Sequence, residues 1–344
     1  MIESLSTRAR FSFQFKAMFI PARFLALSLL SLLLCGCKDS SSSPQSVSQG
    51  VPLQLGGKEI ADRIARKAYS HTETILSFGH RQPESAGLDQ SRAYVIAELK
   101  KHGWTSVEQK FKKMTPKGEI QFSNVIARYA PNPGQNPWGR SVTGVLAAHI
   151  DSKILPNFLG ADDAASSVAT IVALAEHLHK NHPTAAKQLE LVFFDGEEAV
   201  GPNMAFQVDG LYGSIHYSRA VQSSVAQAIS PYKKAPQFGI VLDMIGHKNL
   251  TIKIPSDTPK KLTRSYDAAR SKLELKNHFG KSSGSFLDDH YPMVVIADIP
   301  TIDLIGDFSA NKWWHTSADN MDLISKKSLS MSIHMTLEIL SNHL

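Results

Sequence analysis

Three short runs nearly free of polar side chains, residues 144–150 (GVLAAHI), 189–194 (LELVFF) and 238–245 (FGIVLDMI), constrain the fold of this chain more than any other feature. A strand with one face in water alternates apolar and polar residues. Runs of this kind therefore read as central strands buried on both faces, as in a sheet covered by helices on either side. Apolar residues recur at helical spacing around them, over residues 58–78, 88–102, 164–180, 211–222 and 323–342. Residues 107–113 and 121–129 read as strands, and Thr115-Pro116-Lys117-Gly118 predicts a hairpin turn between them. Beyond residue 52 there is no repeat and no second linker. The economical expectation is an α/β fold: a single domain with a central mixed, largely parallel, twisted sheet flanked by helices.

The first 52 residues are of another kind. Residues 24–35 (FLALSLLSLLLC) are apolar but too short to span a bilayer, follow Arg8, Arg10, Lys16 and Arg23, and lead into Gly36-Cys37. Leu34-Cys35-Gly36-Cys37 resembles a bacterial lipobox, which implies a signal peptide over 1–36 and a lipid on Cys37. Met18 also begins a segment that is a complete signal by itself. Lys38 stands where an inner-membrane retention signal would place Asp, so the expectation is an exported lipoprotein anchored at the outer membrane. Residues 37–52 are Ser-rich and aperiodic, as a flexible tether would be, and residues 53–344 form the globular domain. Both cysteines lie before that domain, which at its size needs no disulfide. Four of the 37 basic residues and one of the 31 acidic ones precede Cys37, which leaves the rest with a net charge of +3. The basic balance is thus partly a targeting feature, and no nucleic-acid partner is expected.

Function enters through the acids and histidines at the ends of the apolar runs. In an open α/β sheet, ligands sit beyond the carboxyl ends of strands. The first run ends in His149-Ile150-Asp151, and Gly160-Ala161-Asp162-Asp163 follows it. The second ends in Asp195-Gly196-Glu197-Glu198 and the third in Asp243-Met244-Ile245-Gly246. Later loops carry Asp288-Asp289-His290 and Trp313-Trp314-His315. Taken singly, Asp162 or Asp163 could cap the following helix, and His149 could be a satisfied core histidine. Together they would crowd carboxylates into one pocket, which is costly unless a divalent cation keeps them ionised. A mixed His, Asp and Glu set favours zinc over calcium or magnesium, so a metalloenzyme is expected.

In this order the motifs resemble the co-catalytic zinc aminopeptidase superfamily, over about residues 58–344. Asp288-Asp289-His290 and Trp314-His315-Thr316, with the strings LAAHIDSK, LVFFDGEEA, GLYGS and WHTSADN, are more similar to its animal-type glutaminyl cyclases than to its peptidases. The resemblance implies one zinc per chain held by Asp163, Glu198 and His315. It implies catalytic roles for Glu197 as acid and base, and for Asp243 and Asp288 in binding the reacting nitrogens. The peptidases hold a second metal through the residues matching His149 and Asp243, so residue types leave one or two zinc ions open, with Asp151 and His290 as further ligands or supports. Trp314 and Phe308 match pocket aromatics. No tryptophan occurs between Ala199 and Gly210, where the family has one, and Phe206 is expected to fill that wall. The activity implied is conversion of the N-terminal glutamine of peptides or proteins to pyroglutamate by a monomer. The alternative is a lipid-anchored di-zinc aminopeptidase. Gly280-Lys281-Ser282-Ser283-Gly284 imitates a nucleophile elbow, but the residues before it make a poor strand, and Leu275 stands where a phosphate loop needs its first Gly.

Overall fold

The computed structural model describes residues 53–309 and 312–344. The signal peptide and tether expected over 1–52, with Cys37, lie outside the described residues. Eight strands make one sheet: β1 (Trp104–Thr115), β2 (Gly118–Tyr129), β3 (Gly144–His149), β4 (Leu189–Phe194), β5 (Phe238–Asp243), β6 (Ile252–Ile254), β7 (Phe279–Lys281) and β8 (Thr301–Gly306). Their order is β1-β2-β4-β3-β5-β8-β6-β7. The three apolar runs are β4, β3 and β5, adjacent, parallel and buried throughout. The hairpin pairs Trp104 with Tyr129 and Thr115 with Gly118, so it turns at the expected Pro116-Lys117 but is longer than expected.

Alternation along the strands divides the core into two layers. Leu146, Ala148, Leu191, Phe193, Ile240 and Leu242 pack against α1 (Lys58–Ser77), α2 (Ala86–Lys101), α3 (Ser167–Asn181) and α8 (Lys326–Ser341). Val145, Ala147, Val192, Phe194 and Val241 face α5 (Tyr212–Ala226) and α7 (His290–Val295). The chain also has α4 (Pro183–Lys187) and α6 (Lys260–Lys272). Each fully buried Leu, Ile or Phe contributes about 1.5–3 kcal/mol relative to exposure, and this is why these strands are apolar at nearly every position, Glu190 within β4 and the strand-end residues His149 and Asp243 excepted. Among the described residues no helix is long and apolar enough to cross a membrane.

Two departures from the sequence reading bear on the site. β8 is wholly buried, yet its apolar run is interrupted by Asp303, which hides it from a periodicity search. The helix expected to run from Ala164 instead begins with a π-helical turn, Ala161–Ser166, in which Asp163 (φ −103°, ψ 84°) and Ala164 leave the helical path. The Asp163–Ala164 peptide is cis, and α3 starts at Ser167.

Candidate active site

The carboxyl ends of β3, β4 and β5 deliver His149, Glu197, Glu198 and Asp243 to one edge of the sheet. Asp163, Asp288 and His315 reach the same place from loops, and Lys153, Phe286, Phe308 and Trp314 join them around a cavity of about 550 Å³. The loop carrying Asp163 turns through Gly160 (φ +64°), where a Cβ would lie 2.1 Å from the Asp163 carbonyl oxygen, so only glycine fits. Asp319 then fixes the loop, accepting the backbone N–H of Asp162 (2.8 Å) and of Asp163 (3.1 Å). Asp162 is no helix cap. Its Oδ1 accepts from Ser166 Oγ and from Gly246 N, and burial pushes its carboxyl up to about 7.

Asp151 holds the neighbouring loop in the same manner. Its Oδ1 accepts from Glu197 N (3.1 Å) and its Oδ2 from Glu198 N (3.2 Å), so it supports the acid pair through their backbone. Beneath both loops lies Arg81, fully buried, donating to the carbonyls of Ile150, Leu159 and Gly160. Burial pulls its guanidinium down to about 10, against the acids Asp319, Asp151 and Asp163 that favour its charge. Neither Arg81 nor Asp319 was singled out from the sequence. Asp319 lies inside the string WHTSADN, whereas nothing in the local pattern marks Arg81.

Two groups of donors could each hold a cation: Asp163, Glu198 and His315, and His149, Asp163 and Asp243. Within each, the donor atoms lie within 4.8 Å of one another. His315 Nε2 is 3.4 Å from Asp163 Oδ2 and 3.2 Å from Glu198 Oε1. His149 Nε2 is 3.1 Å from Asp163 Oδ1 and 3.3 Å from Asp243 Oδ1. Burial pulls the His315 imidazole down, but its contacts with Asp163 and Glu198 raise it to about 9. Burial raises the Asp163 carboxyl, yet His149 and His315 hold it well below the usual range. A pocket that gathers protons this strongly is one that binds positive charge. Glu198 Oε1 and Asp243 Oδ1 are buried facing the imidazoles of His315 and His149, and Asp288 Oδ2 is buried without a hydrogen-bond donor among the described residues. An unpaired buried polar atom costs about 1–3 kcal/mol, so the site is shaped for a ligand that the chain's own groups do not replace. The residues present fit a zinc ion.

Glu197 faces the same cavity without joining either donor group. Burial raises its carboxyl well above the usual range; His149 opposes this, and Glu198 and Asp288 reinforce it. Burial, with Asp303 next, pushes Asp288 up to about 8. His290 sits behind Asp288, its Nδ1 3.2 Å from Asp303 Oδ2, within a third buried group of Asp288, His290 and Asp303. It does not belong to the donor group formed by His149, Asp163 and Asp243.

Trp314 stacks on His315 with centroids 3.8 Å apart, and Phe308 follows at 4.8 Å from Trp314. Trp313 is buried in the core against His247. Phe206 does not fill the pocket wall as expected. It packs edge-on against Tyr291 at 4.9 Å, while Met204 lines the cavity. Asp209 sets this turn by accepting from Val200 N and Gly201 N, which draws residues 200–209 into a compact loop and carries Phe206 away from the pocket.

Comparison with known proteins supplies a family. The description Peptidase family M28 matches residues 124–340. A glutaminyl-peptide cyclotransferase-like protein of Bos taurus is 31% identical over 268 residues, covering 70% of this chain and 66% of the relative's own length. The solved glutaminyl cyclase of Porphyromonas gingivalis superposes with a TM-score of 0.69 at 27% identity, over 81% of this chain and 98% of that one. A Zn-dependent exopeptidase from Parabacteroides distasonis also superposes at 0.69, with 24% identity over 81% of this chain and 98% of its own, a likeness of fold alone. Peptidases and cyclases thus share this architecture, and the chain belongs to Peptidase family M28.

Proposed function

We propose that this protein is a zinc-dependent glutaminyl-peptide cyclotransferase, converting the N-terminal glutamine of peptides or proteins to pyroglutamate with release of ammonia. The observation that carries this reading is the set of three carboxylates, Glu197, Asp243 and Asp288, that share one cavity with a complete donor group and an aromatic wall. The similarity to proteins bearing that activity supports it. Cyclisation forms a bond from the α-amine nitrogen to the γ-carboxamide carbon and breaks the bond from that carbon to the amide nitrogen. One proton must move from the amine to the departing ammonia. Glu197 is the group that takes and returns it, since it faces the cavity outside both donor groups and burial raises its carboxyl, which favours holding a proton in transit. Asp243 and Asp288 hydrogen-bond the amine and the leaving nitrogen, sharing a proton between them because crowded buried acids do not all ionise. Asp163, Glu198 and His315 would hold one zinc, which when bound supplies Lewis acidity toward the γ-carbonyl oxygen. Trp314 and Phe308 cover the glutamine side chain and exclude water, which would otherwise hydrolyse the amide.

The donor group of His149, Asp163 and Asp243 favours a second reading, a di-zinc aminopeptidase. One experiment separates the two: mass spectrometry of a Gln-initiated and a Leu-initiated peptide after incubation with protein lacking residues 1–37. Loss of one ammonia from the first, with the second intact, is expected. Removal of the first residue, with two zinc ions per chain, would replace the cyclase reading by the peptidase one. We further propose that the chain is an exported lipoprotein, monomeric and held at the outer membrane through Cys37. Replacing Cys37 by Ser should then move the protein from the membrane to the soluble fraction.

A further inference from the structure

A second cavity, of about 360 Å³, abuts the active-site cavity, and Phe286 and Phe308 line both. From the metal-ligand candidate His315 the aromatic rings run without a break through Trp314, Phe308 and Phe286, the last pair 5.8 Å apart. A peptide with its glutamine at the acid cluster has a continuous apolar surface to follow out of the pocket. The surface leads to a place of opposite character. The active-site cavity is lined by five carboxylates, those of Asp163, Glu197, Glu198, Asp243 and Asp288. The second cavity is lined by the basic residues Lys253 and Lys281, with Ser282, Ser283 and Ser309. Its one acid, Asp307, is engaged by Lys253 Nζ at 2.6 Å and by Ser309. Lys281 uses one of its three donors on Asp267, also at 2.6 Å.

This cavity is rigidly built. Lys253 and Lys281 come from the paired strands β6 and β7, of which β7 is the edge of the sheet, in the register Lys253 to Gly280 and Ile254 to Lys281. The turn that follows is pinned by Ser282 N to Ile254 O (2.9 Å) and by Gly284 N to Ser282 Oγ (3.1 Å). The segment Gly280-Lys281-Ser282-Ser283-Gly284, which has no nucleophilic or phosphate-loop role, thereby acquires a use as the rim of a binding shelf.

Resting on the cyclase reading, we propose that the second cavity is a specificity subsite for a carboxylate-bearing residue downstream of the N-terminal glutamine, with Lys281 and Lys253 as its determinants. The contrast between the cavities fixes register. A downstream carboxylate is repelled by the acid cluster and held on the lysine shelf, whereas a downstream lysine competes with the α-amine for the same acids.

The test compares kcat/KM for Gln-Ala-X-Ala amides, with X as Glu, Gln or Lys and the charge also moved to positions two and four. Gln-Ala amide, too short to carry the charge, serves as control. At low ionic strength the wild type should favour Glu over Lys by about five- to tenfold at one position, mostly through KM, and lose the preference in high salt. Lys281→Gln should reduce the ratio to about twofold or less, Lys253→Gln should do likewise, and Lys281→Arg should retain it. All three should cyclise Gln-Ala amide at the wild-type rate. A wild type that cyclises the dipeptide amide without charge preference, or a preference that survives both Gln variants, would overturn this inference alone. No cyclisation of the dipeptide amide by the wild type would overturn the parent reading, and this one with it.

Discussion

Asp151 invites a sharp test, because the same residue could be a metal ligand or a backbone support. Both of its carboxylate oxygens accept backbone N–H groups, from Glu197 and Glu198, and the side chain is fully buried. Asp151→Asn keeps the shape but leaves one acceptor, and turns an NH₂ toward an N–H that can no longer pair. The orphaned donor costs about 1–3 kcal/mol, and the surviving bond loses its charge assistance, worth about 1 kcal/mol more. The sum is about 2–4 kcal/mol. At about 2–4 °C per kcal/mol for a domain near this size, the melting temperature should fall by roughly 4–16 °C. The interactions involve no metal, so the drop should appear in chelator-treated protein followed by calorimetry. Turnover should fall about 10- to 100-fold, since both Glu197 and Glu198 shift with their backbone. A metal-free melting temperature equal to that of the wild type, coupled with loss of bound metal, would refute the reasoning and make Asp151 a ligand.

Three further outcomes follow from the geometry. Glu197→Gln should retain its full zinc content, read by elemental analysis, while kcat falls about 10²- to 10⁴-fold; activity within tenfold of the wild type would remove Glu197 from proton transfer. Arg128 Nε lies 2.6 Å from Glu190 Oε2, both side chains are fully buried, and Glu190 Oε1 accepts from Tyr217 and Tyr232. Arg128→Met should therefore cost about 3–5 kcal/mol in urea unfolding by stranding a buried charge, and Arg128→Met with Glu190→Leu should recover much of it. The Glu176 carboxyl is raised by burial but drawn down to about 2 by Lys180 and Lys67. A depressed carboxylate stabilises the fold fully above its unfolded value of 4.5 and loses that contribution as pH falls toward 2. Wild type should exceed Glu176→Gln in stability at pH 6, with the gap closing between pH 4.5 and 2; a gap that persists at pH 2 would contradict the ion-pair origin.

What could be read from the sequence, and what could not, divides along the kind of interaction each residue makes. β3, β4 and β5 are legible because burial on both faces leaves few polar positions, Glu190 being the one inside a strand, and the side chains that point into the site are legible because strand ends and donor types both restrict them. Asp303 breaks the pattern from inside: a buried acid in β8 hides the strand that holds it. β6 and β7, at three residues each, are too short to show any period. Asp163 precedes a helix, where an acid ordinarily caps, and only the turn imposed by Gly160 and Asp319 aims it into the pocket. Arg81 and Asp319 act on backbone groups about 70–160 positions away; any residue type offers such a group, so no spacing rule announces the contact. The displacement of Phe206 by Met204 has the same origin, since Asp209 sets that loop by gripping two N–H groups. Side chains that touch a ligand are selected by chemistry and leave a signature in residue type. Side chains that hold the backbone in place are selected by geometry, and their signature exists only once the chain is folded.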